Sequence, residues 1–141
     1  MILDTISLQG LRGPPTRPRK PLFWMGSSLK NLKAMPIPVQ KFFGAALRDV
    51  QHGDTPDESK PWKGLGSGVW QIVSSHDRST YRAVYAVSFP GVVYVLHVFQ
   101  KKSKHGITTP RTDVALVRSR YKLAREHYRA WRQQMTEEHD G

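Results

Sequence analysis

Three β-rich runs in this chain follow one another too closely for anything but a meander. Val69 to Ser75, Thr80 to Phe89 and Val92 to Lys101 are separated only by His76 to Ser79 and by Pro90-Gly91. A parallel return would need a crossover of about a dozen residues or more. Turn-forming residues sit at both junctions, so an antiparallel three-stranded sheet is expected.

Upstream, Leu22, Phe23, Trp24 and Met25 form a short apolar run ended by Gly26, which reads as a further strand. Ser27 or Ser28 then offers a hydroxyl to the free amides of a short helix through Ala34, stopping before Pro36. From Pro38, the residues Val39, Phe42, Phe43, Ala46, Leu47 and Val50 recur at three- and four-residue spacing. That spacing predicts a second helix with one apolar stripe, closed by His52-Gly53. Residues 53–68 are rich in Gly, Pro and acidic residues and read as one long loop.

Downstream of the meander, Thr109-Pro110 supplies a hydroxyl cap and a proline at the first helical position. Val114, Val117, Tyr121, Ala124, Tyr128 and Trp131 then mark one face of a long amphipathic helix, whose other faces carry many arginines. Strand, two helices, meander and C-terminal helix together predict an α+β fold, with the N-terminal strand and the meander in one small antiparallel sheet packed against the two N-terminal helices and the long C-terminal helix. Residues 1–20 are expected to be a flexible basic arm, 21–134 the folded domain, and 135–141 an acidic tail that frays.

Charge narrows the function. The 141 residues carry 22 Lys and Arg against 11 Asp and Glu, a formal net charge of +11, which points to an anionic partner. The absence of cysteine removes disulfides, thiol nucleophiles and cysteine-based zinc sites. No phosphate-binding glycine loop, dinucleotide fingerprint, nucleophile elbow or zinc-protease motif is present, and the histidines lack metal-ligand spacing. Neither a metal nor another cofactor is therefore expected. The longest apolar run, Val92 to Phe99 with His97 inside it, is too short to cross a bilayer. Nor does the N-terminus read as a secretory signal, so a cytoplasmic protein is expected.

What the meander does carry is cations. Tyr81, Ala83, Tyr85 and Val87 alternate toward one face and leave Arg82 on the other. Lys101, Lys102 and Lys104 leave the end of the last strand together, near where pairing would bring Arg82. Whichever of Lys101 and Lys102 shares the Arg82 face is the more important, and the sequence does not fix the register. Arg82 could instead pair with a carboxylate such as Asp49. By simple alternation His97 shares a face with Val93, Val95 and Phe99, which favours a hydrogen-bonded core histidine, although its near-neutral pKa also suits a proton carrier. Lys63, in the long loop, is a candidate phosphate contact.

These residues carry a resemblance. The Pro-Leu-Phe-Trp run, Ser-Leu-Lys-Asn-Leu, the Lys63 to Gly66 loop, Tyr81 to Tyr85, and Val95 to Lys102 followed by Thr109-Pro110 resemble the RelE/ParE toxin superfamily. The phage-derived HigB-like branch looks closest. The resemblance implies a RelE-like fold and the toxin of a type II toxin–antitoxin system. Such a toxin enters the ribosomal A site and cleaves mRNA without a metal, through attack of the 2′-hydroxyl on the adjacent phosphodiester. By position, Arg82, Lys101 and Lys102 are the expected catalytic cations, and Lys63, Lys104 and His97 the expected RNA contacts. A helix-turn-helix antitoxin and mRNA on the ribosome are the implied partners. This sequence departs from ribosome-dependent relatives at Gln71 and Val73, where basic residues are common, and has no tyrosine soon after Lys102. Two alternatives are a ParE-like inhibitor of DNA gyrase and a basic RNA-binding module held by charge alone.

Overall fold

The computed structural model describes residues 18–101 and 109–140. Most of the N-terminal arm, together with Lys102 and Lys104, lies outside the described residues. The order is β1 (Leu22–Trp24), α1 (Ser28–Lys33), α2 (Ile37–Gln51), β2 (Ser59–Pro61), β3 (Val69–His76), β4 (Ser79–Ala86), β5 (Val93–Lys101) and α3 (Arg111–Asp140). The strands form one five-stranded sheet in the order β1-β5-β4-β3-β2. The fold is α+β, as expected from the sequence.

The meander pairs antiparallel, with Arg82 opposite Phe99 and Thr80 opposite Lys101. β1 instead joins β5 in parallel, Leu22 opposite Val93, so the sheet is mixed and not wholly antiparallel. Parallel pairing is available because β1 reaches β5 through the helices and the rest of the meander. β5 thus becomes an inner strand covered on both faces, and its run from Val92 to Phe99 is buried throughout.

Each face of the sheet has its own core. On one, Val39, Phe43, Leu47 and Val50 of α2 meet Ile72, Tyr81, Ala83 and Tyr85. On the other, Val117 and Ala124 of α3 meet Val69, Val84, Ala86, Tyr94 and Leu96. Phe89 packs between Tyr94, Tyr121 and Tyr128, at ring separations of 5.2 to 5.4 Å. That contact draws the chain off the sheet, and β4 ends at Ala86, three residues before the expected Phe89.

Other differences have local causes. The loop expected over 53–68 contains a strand, β2, which pairs antiparallel with the first half of β3. Its Pro61 is tolerated because β2 is an edge strand. Neither serine caps α1: the Ser28 hydroxyl donates to the Val95 carbonyl, while Ser27 Oγ accepts from Arg120. The helix α3 spans Arg111–Asp140. Among the described residues no helix is long and apolar enough to cross a membrane.

A β-bulge in β5 has the largest effect on the site. Val84 pairs with His97, yet the next residue, Tyr85, pairs with Val95, so Leu96 is the extra residue. Val93 and Val95 therefore face α2, whereas His97 and Phe99 face α3. Strict alternation had put all four together; the bulge separates them.

Candidate nucleic-acid interface

Cross-strand register places side chains on a common face. Lys60 opposes Gln71, Gln71 opposes Val84, and Val84 opposes His97. One row further along, Val73, Arg82 and Phe99 are opposite one another, followed by Ser75, Thr80 and Lys101. All of these positions belong to the α3 side. Lys60, Gln71, Arg82 and Lys101 consequently form a diagonal across β2, β3, β4 and β5. Of the two candidate lysines, Lys101 shares the Arg82 face.

Arg82 lies on the side opposite Asp49 of α2 and does not pair with it. Its Nη1 donates to Gln71 Oε1 at 2.6 Å, and its buried Nε has no hydrogen-bond partner among the described residues. Half-burial lowers its pKa from the ordinary arginine value, but a guanidinium remains charged in a protein. Gln71, which stands where a basic residue was expected from the resemblance, thus fixes the direction of an arginine.

The Lys101 ammonium is disfavoured chiefly by desolvation, and then by repulsion from Arg82 and Lys60, which lowers its pKa. Like charges on neighbouring strands persist at such a cost where an anion can offset them. Lys60 joins Arg82 and Lys101 in this field, although sequence reasoning passed over it inside the loop. The available signal was the Lys63 to Gly68 segment, whose glycines 64, 66 and 68 all adopt positive φ and carry the chain from β2 into β3. Lys63 is exposed and lines a pocket on the same face with Gln71.

His97 shares this face but is interior. It is 3% exposed, so the direct RNA contact expected of it is not available to its ring. Arg120 can only donate, so its Nη1–H donates a hydrogen bond to His97 Nδ1 at 3.1 Å, and His97 Nε2–H donates to Asp113 Oδ1 at 2.7 Å. Phe99 stacks on the ring at 4.6 Å. Arg120 Nη1 also donates to the Leu96 carbonyl, tying α3 to the bulge.

Burial, the largest influence, lowers the His97 pKa from 6.5; Asp113 pulls it up and Arg120 pushes it down. The unfolded chain therefore protonates His97 at a higher pH than the folded one does. The linked stability is present above pH 6.5 and is lost as the pH falls below it. Thermal melts taken at about pH 7.5 and about pH 5.5 should show a lower Tm in acid. In His97→Phe the difference between the two should shrink; an unchanged difference would assign the acid sensitivity elsewhere.

A small α+β protein with helices on both sheet faces and a row of cations on one of them is the class these features define. The chain belongs to the phage-derived Gp49-like family, which matches residues 30–122. This agrees with the resemblance to phage-derived RelE/ParE-type chains read from the sequence. Among solved structures, a chain of the toxin–antitoxin complex RelBE2 from Mycobacterium tuberculosis is similar, with 20% identity and a TM-score of 0.38, over 60% of this chain and 94% of that one. No curated protein matches the sequence.

Proposed function

We propose that this chain is the toxin of a type II toxin–antitoxin pair and cleaves mRNA on the ribosome. The observation that carries the reading is the convergence of Arg82 and Lys101 on one sheet face, with Gln71 holding the guanidinium. In the reaction the RNA's own 2′-oxygen forms a bond to the adjacent phosphorus and the bond to the 5′-oxygen breaks. The products are a 2′,3′-cyclic phosphate and a 5′-hydroxyl. Charge builds on the phosphate oxygens in the transition state, where Arg82 is the main donor. Burial and the neighbouring cations make the neutral amine of Lys101 easier to reach; as the amine it takes the 2′-hydroxyl proton, as the ammonium it steadies the phosphate, and the departing 5′-oxygen takes its proton from water. Lys60 contributes to the field from β2, and Lys102 is carried as a further cation on the resemblance alone. The partner is an antitoxin, of the helix-turn-helix kind, whose acidic segment meets this face.

The test is brief induction in cells, followed by mapping of transcript 5′ ends with and without a ribosome inhibitor. New ends inside coding frames that vanish with the inhibitor are the expected result. Lys60→Ala should weaken cleavage about tenfold, as loss of one phosphate contact does. Relaxed plasmid in place of new RNA ends would move the protein to the gyrase-binding reading and overturn this one.

A further inference from the structure

An open pocket of about 340 Å³ is lined by Gln71, the hydrogen-bond partner of Arg82, together with Pro61, Trp62, Lys63, Thr109 and Val114. It sits where the end of β2, the β3 strand and the entry to α3 meet, on the same sheet face as the cations. Its volume is near the low end of the about 300–1,000 Å³ usual for small-molecule sites. That suits one planar ring system and little more.

The chemistry of the lining is asymmetric. Pro61, Trp62 and Val114 give apolar surface, as the faces of an aromatic ring require. The polar groups are mainly donors: the Lys63 ammonium, the Gln71 amide NH2 and the Thr109 hydroxyl, with no carboxylate in the lining. Gln71 is not free to flip, because its Oε1 is taken by Arg82 Nη1 at 2.6 Å. Its Nε2 therefore points away from Arg82 and makes only a long contact of 3.5 Å to the Pro61 carbonyl, leaving donor capacity for a ligand. One side chain, Gln71, thus links the Arg82 guanidinium with the pocket.

We propose that this pocket is a nucleobase site, holding the base beside the phosphate engaged by Arg82 and preferring keto bases, guanine or uracil, to amino bases. The inference rests on the proposed function only in taking RNA as the ligand. Single-stranded RNA is recognised in this way, with bases splayed from the strand and bonded along their edges. Donors facing inward match the O6 and N7 acceptors of guanine and the O4 of uracil better than the exocyclic amines of adenine and cytosine.

The experiment is an NMR titration of the full chain with GMP, AMP and ribose 5-phosphate, which share a phosphate but differ in the base. GMP is expected to bind about tenfold more tightly than ribose 5-phosphate, and more tightly than AMP. Val114→Trp should fill the pocket and abolish the advantage of GMP while leaving ribose 5-phosphate binding unchanged. Thr109→Trp, at the rim and outside α3, does the same without touching the core. Arg82→Ala should weaken all three ligands, and it should also narrow the margin of GMP over AMP, because Gln71 is then free to flip. Equal binding of GMP and ribose 5-phosphate, or of GMP and AMP, overturns the base site while leaving the phosphate site standing. Binding of all three that ignores Arg82→Ala overturns the phosphate site, and with it the proposed function.

Discussion

On the proposed function, Arg82→Ala is expected to lower mRNA cleavage about 10²- to 10³-fold, the usual cost of removing one preorganised donor from a developing oxyanion. The size follows from placement. The guanidinium is half-buried, directed by Gln71 and already desolvated, so little reorganisation remains to be done when charge appears on the phosphate. Arg82→Lys keeps a positive charge but loses the fork, and should recover only part of the rate. Folding should be nearly untouched, because among the described residues Arg82 makes one side-chain hydrogen bond and it fills neither hydrophobic core. The measurement is growth inhibition and RNA cleavage beside a denaturation curve for each variant. An alanine variant that folds and remains fully toxic would remove Arg82 from the chemistry.

Arg120→Ala should do the opposite, harming the fold first. This arginine is 9% exposed and donates to the Leu96 carbonyl, to His97 and to Ser27, which belongs to a segment 93 residues away. Removing it leaves a carbonyl and a ring nitrogen without their donor, opens a gap beneath α3, and breaks the chain of groups joining the guanidinium through His97 to Asp113. Hydrogen bonds from charged groups are worth about 1.5–3 kcal/mol each, and not additively, so a loss of about 3–4 kcal/mol is expected in urea unfolding. Gly26→Ala approaches the same defect from the other side. At φ +56° the position suits glycine, and a Cβ there would stand 2.6 Å from Arg120 Nε. A change of less than about 1 kcal/mol in Arg120→Ala would mean that α3 is held by its apolar face alone.

How far the sequence reveals this site depends on what sets each position. Arg82 was legible because alternation along β4 is unbroken and the turns on either side of it are short. The choice between Lys101 and Lys102 was not, since it rests on a register that the turns do not specify. His97 went to the wrong company because one extra residue in β5 reverses the alternation, and a bulge of this kind leaves no mark in a run of valines and leucines. Lys60 was hidden because a three-residue edge strand has no periodicity to read; β3 recruits it through backbone bonds. The serines before α1 looked like caps, and only the distant Val95 carbonyl and Arg120 explain why they do other work.

The parallel pairing of β1 with β5 bears on how the chain is made. Leu22 cannot reach Val93 until some seventy further residues have been synthesised, a delay of roughly 4 to 14 seconds at about 5–20 residues per second. Through that interval the Leu22–Trp24 segment has no sheet to join, and its apolar side chains are open to chaperones or to a neighbouring nascent chain. The Arg82 and Lys101 pair is likewise incomplete until β5 leaves the exit tunnel, so the cationic face comes into being only once that last strand has been added to the sheet.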